Sequence, residues 1–109
     1  MLMIANTDFM NTDFMNLGTD LKTFFNRYSE QRRLALYQAL IRELANIRAQ
    51  SKVTESIDKI NSLKHQFKGV CRYLVLDLDT QIDGFKTAEQ LYCAVDNIYE
   101  QVVAIEHEF

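Results

Sequence analysis

Apolar side chains recur along this sequence at helical intervals. Leu21, Phe24, Phe25, Tyr28, Ala35, Leu36, Leu40, Leu44 and Ile47 follow one another at the spacings of three, four and seven that keep one side of a helix apolar. The pattern predicts a long amphipathic helix over 19–50, bent near the polar run SEQRR, with Arg42, Glu43 and Arg48 on a solvated face. Gly18 interrupts the preceding residues, and Thr19 or Asp20 stands where a side-chain oxygen can cap the helix. After the short link AQSK, with Ser51 or Thr54 as the cap, a second stripe begins. It runs through Ile57, Ile60, Leu63 or Lys64, Phe67, Val70 or Cys71, Leu74 and Leu78. Its tail, YLVLDLD, alternates with a period of two, yet a lone strand in a helical chain would have no pairing partner. The expectation is therefore helix up to Asp83 and Gly84. Thr87 and Gln90 make a capping-box pattern, and Leu91, Val95, Ile98, Val102, Ile105 and Phe109 then trace the seam of a bundle helix.

These elements predict an all-α fold, an antiparallel up-and-down helical bundle. It has four helices if either the N-terminal residues or the segment around 76–84 supplies the fourth. The sequence NTDFM occurs twice in tandem, at Asn6–Met10 and Asn11–Met15. A period of five matches neither helix nor strand, so Phe9 and Phe14 cannot share one helix face, whereas Met10 and Phe14 can. Residues 1–18 accordingly read as an arm or short helix laid over a bundle domain of residues 19–109.

Composition supports this picture and narrows the function. The chain has 109 residues, no proline and three glycines, enough for one core and too little punctuation for many short strands. No apolar run reaches the roughly 18 residues of a spanning helix, and MLMIANTDFM lacks a basic region followed by a sustained apolar stretch, so neither membrane insertion nor a signal peptide is expected. Cys71 and Cys93 have no partner pattern for a disulfide framework or a zinc site and read as small core residues in a reducing cytoplasm. The net charge is −3, unevenly spread: residues 19–72 hold eleven basic against five acidic side chains, a net of +6, and residues 73–109 hold one against eight, a net of −7. The two segments should attract each other when packed side by side, and a pI near 5.3 argues against nucleic acid as a partner.

The second stripe carries the candidate chemistry. With Phe67 at the centre of its buried face and about 100° per residue, His65 falls about 160° away and so faces solvent. Lys68, Gly69 and Arg72 follow it by three, four and seven residues on the same surface strip. A glycine inside a helix costs about 1 kcal/mol relative to alanine, and a side chain at position 69 would lean back toward His65. Imidazole as a class offers a nucleophilic nitrogen at cellular pH, and a phosphoryl group on it would gain from the Lys68 and Arg72 charges.

The five residues HQFKG, His65 to Gly69, resemble the H-x-(L/F)-K-G signature of histidine-containing phosphotransfer (HPt) domains, the helical-bundle intermediates of two-component phosphorelays. The similarity in order covers approximately Leu21 to Leu78, and the later helix matches in type. The resemblance implies that His65 is the phosphoacceptor, that Lys68 supports the phosphoryl oxygens and that Gly69 gives a partner access, with Arg72 as electrostatic support. It implies receiver domains of response regulators and a hybrid sensor kinase as partners, with Mg²⁺ held by the receiver and no cofactor or metal in this chain. Such a carrier is not an enzyme alone. Monomer and homodimer are both compatible with the sequence.

Other sites are weaker. DTQIDGFKTAEQ, Asp79–Gln90, partly imitates a calcium loop but has Gln90 where a bidentate glutamate belongs, so it reads as a turn between helices. His107 lies between Glu106 and Glu108 without a second ligand. No nucleophile elbow or phosphate-cradling glycine loop occurs. The alternative function is a helical adaptor that binds a partner through Leu34, Tyr37 and Ile41, apolar residues lying off the main stripe.

Overall fold

The computed structural model describes Phe14 and residues 17–108. The first NTDFM copy, the Met10–Phe14 pairing and the seam position Phe109 lie outside the described residues. The described residues form an all-α bundle of five helices: α1 Gly18–Phe25, α2 Glu30–Val53, α3 Ile57–Tyr73, α4 Asp79–Asp83 and α5 Ala88–Ile105, followed by a 3₁₀ turn at Glu106–Glu108. No strand occurs among the described residues. Helix α2 packs mainly on α5 and α3, α1 lies on α5, and α4 lies on α3.

The first long helix is in fact two. At its break the N–H groups of Arg27 and Tyr28 reach back only three residues, to the carbonyls of Phe24 and Phe25, at 3.3 and 3.1 Å. Ser29 then takes an extended conformation, and its hydroxyl accepts the Arg32 N–H at the start of α2. Arg33 turns back across the break and donates to the Phe25 and Tyr28 carbonyls, the first of which also accepts the Tyr28 N–H. The fourth long helix of the bundle therefore comes from the head of the predicted first helix, and Ala35, placed in the stripe by spacing, is exposed.

The caps also differ from expectation. Helix α1 begins at Gly18 with Leu17 at its N-cap and no side-chain cap, so neither Thr19 nor Asp20 caps it. Instead the Leu17 N–H donates to Gln101 Oε1 and Gln101 Nε2 donates to the Phe14 carbonyl, both at 2.6 Å. Gln101 thus clips the two described residues before α1 onto α5. Phe14 is buried between the rings of Phe67 and Phe85, at centroid distances of 6.4 and 5.6 Å. Helix α2 runs through AQSK to Val53. The buried Ser51 hydroxyl donates to the Arg48 carbonyl, and Ser56, not Ser51 or Thr54, caps α3.

Helix α3 ends at Tyr73, earlier than its stripe implies. Val75 has φ 63°, and the Leu76 N–H returns to the Cys71 carbonyl at 2.8 Å. These are the left-handed residue and the six-to-one bond of a Schellman stop. Leu74, Leu76 and Leu78 then point inward while Val75 and Asp77 are exposed. The period-two pattern of YLVLDLD is real, but it belongs to an irregular link between α3 and α4 and not to helix or strand.

The core is formed by residues such as Leu21, Phe25, Leu44, Leu63, Phe67, Leu91 and Ile98, each almost fully buried. Each such side chain contributes about 1.5–3 kcal/mol by leaving water. Ile57, first in the α3 stripe, is 72% exposed, because it precedes the stretch of α3 that other elements cover. The Thr87–Gln90 capping box is present as expected, and the α5 seam from Leu91 to Ile105 is buried. No helix among the described residues is long and apolar enough to cross a membrane.

Candidate functional site

Phe67, Leu63, Val70 and Cys71 tie α3 to the core. That fixes the helix's rotation and sends His65 and Gly69 outward, where both are exposed. A Cβ built on Gly69 would meet nothing within 4 Å, the His65 side chain included, and its φ is not positive. Glycine here relieves no internal clash and satisfies no special backbone. What it leaves is an uncovered stretch of helix one turn beyond an exposed imidazole.

The cations beside that imidazole are held from the other side. Lys64, Lys68 and Arg72 stand at intervals of four along one edge of α3, and the segment 79–85 runs against them in the opposite direction. Lys64 Nζ donates to the carbonyls of Asp83 at 3.0 Å and Phe85 at 2.9 Å. Lys68 Nζ pairs with Asp83 Oδ1 at 2.6 Å. Arg72 donates to Asp79 Oδ2 through Nε at 2.8 Å and Nη2 at 2.6 Å. Lys68 holds the Asp83 carboxyl below its ordinary range by hydrogen bond and charge, with Lys64 and Arg72 adding to the effect. Asp79 Oδ1, by contrast, is buried without a hydrogen-bond partner. Burial first, and the Asp79 charge second, push the Cys71 thiol up to about 12.

The four residues singled out from sequence are thus neighbours on one helix, but they are not equivalent. His65 and Gly69 are open, whereas the head groups of Lys68 and Arg72 are directed onto carboxylates of α4. Sequence reasoning did not assign Lys64, Asp79 or Asp83 to this strip. The signal was available in the opposite net charges of the two segments and in the matched four-residue spacings, 64, 68 and 72 against 79 and 83. The pairing recurs elsewhere: Arg48, expected on a solvated face, reaches Asp96 at 2.8 Å and Glu100 at 3.7 Å and lies 3.8 Å from the Tyr99 ring centroid.

The Asp79–Gln90 segment, a turn that partly imitates a calcium loop in sequence, has its first carboxylate on Arg72 and its fifth-position carboxylate on Lys68. No group of three acidic, histidine or cysteine side chains suited to a metal occurs among the described residues. His107 is exposed in the 3₁₀ turn. On α2, Tyr37 is buried with its hydroxyl on Glu106 at 3.2 Å, Ile41 packs against the core, and only Leu34 of that trio is exposed, at 47%. Together these features define a helical bundle that presents a histidine beside a row of three cations, two paired with carboxylates and the third held by backbone carbonyls. Comparisons with family models, with curated proteins and with solved structures return no match.

Proposed function

We propose that this chain is a phosphohistidine carrier: His65 accepts a phosphoryl group from the aspartyl phosphate of a receiver domain and passes it to a second receiver. The observation that carries the reading is an exposed His65 with open helix surface at Gly69 one turn on and the Lys68 ammonium three residues away. Lone-pair attack by a ring nitrogen forms the P–N bond. The P–O bond to the receiver's aspartate breaks, and that carboxylate leaves with the electron pair, while the proton on the other ring nitrogen stays in place. The reverse step loads the next receiver. Alignment and Mg²⁺ come from the receiver, which makes this chain its substrate and not a catalyst. Receiver domains are the expected partners, with a hybrid sensor kinase upstream, in the cytoplasm.

The alternative is a helical adaptor with no phosphotransfer. Tyr37 is buried and Ile41 partly buried against the core, which leaves Leu34 as the one exposed member of the apolar strip that motivated it. Incubation with a receiver phosphorylated on its aspartate decides between the two. Label on the wild type that is absent from His65→Gln supports the carrier, and equal labelling of both overturns it.

A further inference from the structure

We propose that Asp83 is a resident counter-anion, holding Lys68 in the unmodified chain and yielding it to phosphoryl oxygens on His65, so that this carboxylate sets how favourable phosphohistidine is. The inference rests on the carrier reading above and adds a positioning residue to it. Lys68 is three residues beyond His65 and therefore a neighbour on the helix surface, yet its ammonium sits 2.6 Å from Asp83 Oδ1. Two anions, one permanent and one arriving with the phosphoryl group, would flank a single ammonium. A phosphoryl group brings more charge and more acceptor oxygens than a carboxylate, so it wins the contest. The carboxylate nevertheless subtracts from the gain.

The exchange leaves the scaffold in place. The Asp83 side chain is 59% exposed, and exposed ion pairs are weak, so giving up Lys68 disturbs little. Helix α4 keeps its other attachments: Lys64 still holds the Asp83 and Phe85 carbonyls, Arg72 still holds Asp79, and Ile82 remains buried. After release the Asp83 carboxylate keeps Lys64 and Arg72 nearby as partial compensation. Asp83 touches neither the phosphoryl group nor His65 and acts only through Lys68.

The test is phosphoryl exchange between N-phosphoimidazole and the full chain, followed to equilibrium by phosphorus NMR. One P–N bond breaks in the protonated donor as another forms on His65; neutral imidazole departs with the electron pair and its own N–H, and His65 keeps the proton on its other ring nitrogen. Asp83→Asn should raise the equilibrium constant by about two- to fivefold, the scale of one exposed ion pair. Lys68→Gln should lower it, Asp83→Asn added to Lys68→Gln should change nothing further, and Asp83→Glu should stay near wild type. A constant unchanged or lowered in Asp83→Asn, or raised equally with and without Lys68, overturns the proposal. Absence of phosphate on wild-type His65, or equal uptake by His65→Gln, instead overturns the carrier reading and this inference with it.

Discussion

Replacing Gly69 by alanine separates what the fold needs from what a partner needs. The position lies in the interior of α3, is exposed, has no positive φ, and offers an added methyl nothing to strike within 4 Å. No apolar burial is gained or lost, so helix propensity decides the outcome. Alanine should stabilise the chain by about 0.8–1 kcal/mol, which for a domain of this size raises Tm by about 4–8 °C. In urea the midpoint should rise with an unchanged slope, as expected when stability changes but the surface exposed on unfolding does not. The functional consequence runs the other way. On the carrier reading, a methyl group one turn from His65 would intrude on the face proposed for a receiver, while a small donor would be unhindered. Gly69→Ala should therefore transfer more slowly with a phosphorylated receiver and keep its labelling by phosphoramidate. If the substitution destabilises the chain, the open geometry at this position is wrong. If it stabilises the chain and transfers at the wild-type rate, glycine has no role in access.

Val75 is a β-branched residue at φ 63° and 62% exposed. The left-handed conformation costs an L-residue about 1–2 kcal/mol, partly offset in glycine by unfolded-state entropy. Val75→Gly should stabilise the chain by about 0.5–1 kcal/mol in urea melts, and a loss of stability would refute the Schellman reading of this stop. The Asp83 pair gives a pH signature. Lys68 lowers the folded-state pKa of Asp83 from its ordinary 3.8, so the pair's stabilisation is fully present above that value and is lost as pH falls through the lowered one. The stability difference between wild type and Asp83→Asn, measured by urea unfolding from neutral to strongly acid solution, should shrink to zero at the acid end. A difference that persists there would show that it does not arise from the charge.

Much of the architecture could be read from spacing. The α5 seam and its capping box were legible because a local motif and a three-four repeat agree on one helix. The division of α1 from α2 was legible only as a bend near SEQRR, because the apolar stripe continues across it, while the break is made by the Ser29 cap and the Arg33 bonds to carbonyls behind it. Nor was the end of α3 marked by the usual glycine. A valine occupies the left-handed position, so the signal that normally ends a helix was missing, and the inward leucines beyond it extended the apparent stripe.

At the candidate site the legible part was direction and the illegible part was partnership. Helical rotation about a buried Phe67 is enough to turn His65 outward, since a helix face is a local property. Where a lysine head group goes is not local: its flexible stem lets distant carboxylates compete for it. The +6 and −7 segments foretold attraction but not its register, which depends on Val75 reversing the chain so that Asp79 and Asp83 pass Arg72 and Lys68 in turn. The strained valine and the two ion pairs are in this sense one device. The turn delivers two acids to a row of three cations, leaving Lys64 on backbone carbonyls, and the Lys68 and Arg72 head groups become available to an incoming anion only where it displaces a carboxylate. An imidazole beside three unpaired cations would attract any phosphate in solution. Where Lys68 and Arg72 are already paired with carboxylates, a phosphoryl group on His65, as the carrier reading has it, would gain Lys68 only by competing with Asp83.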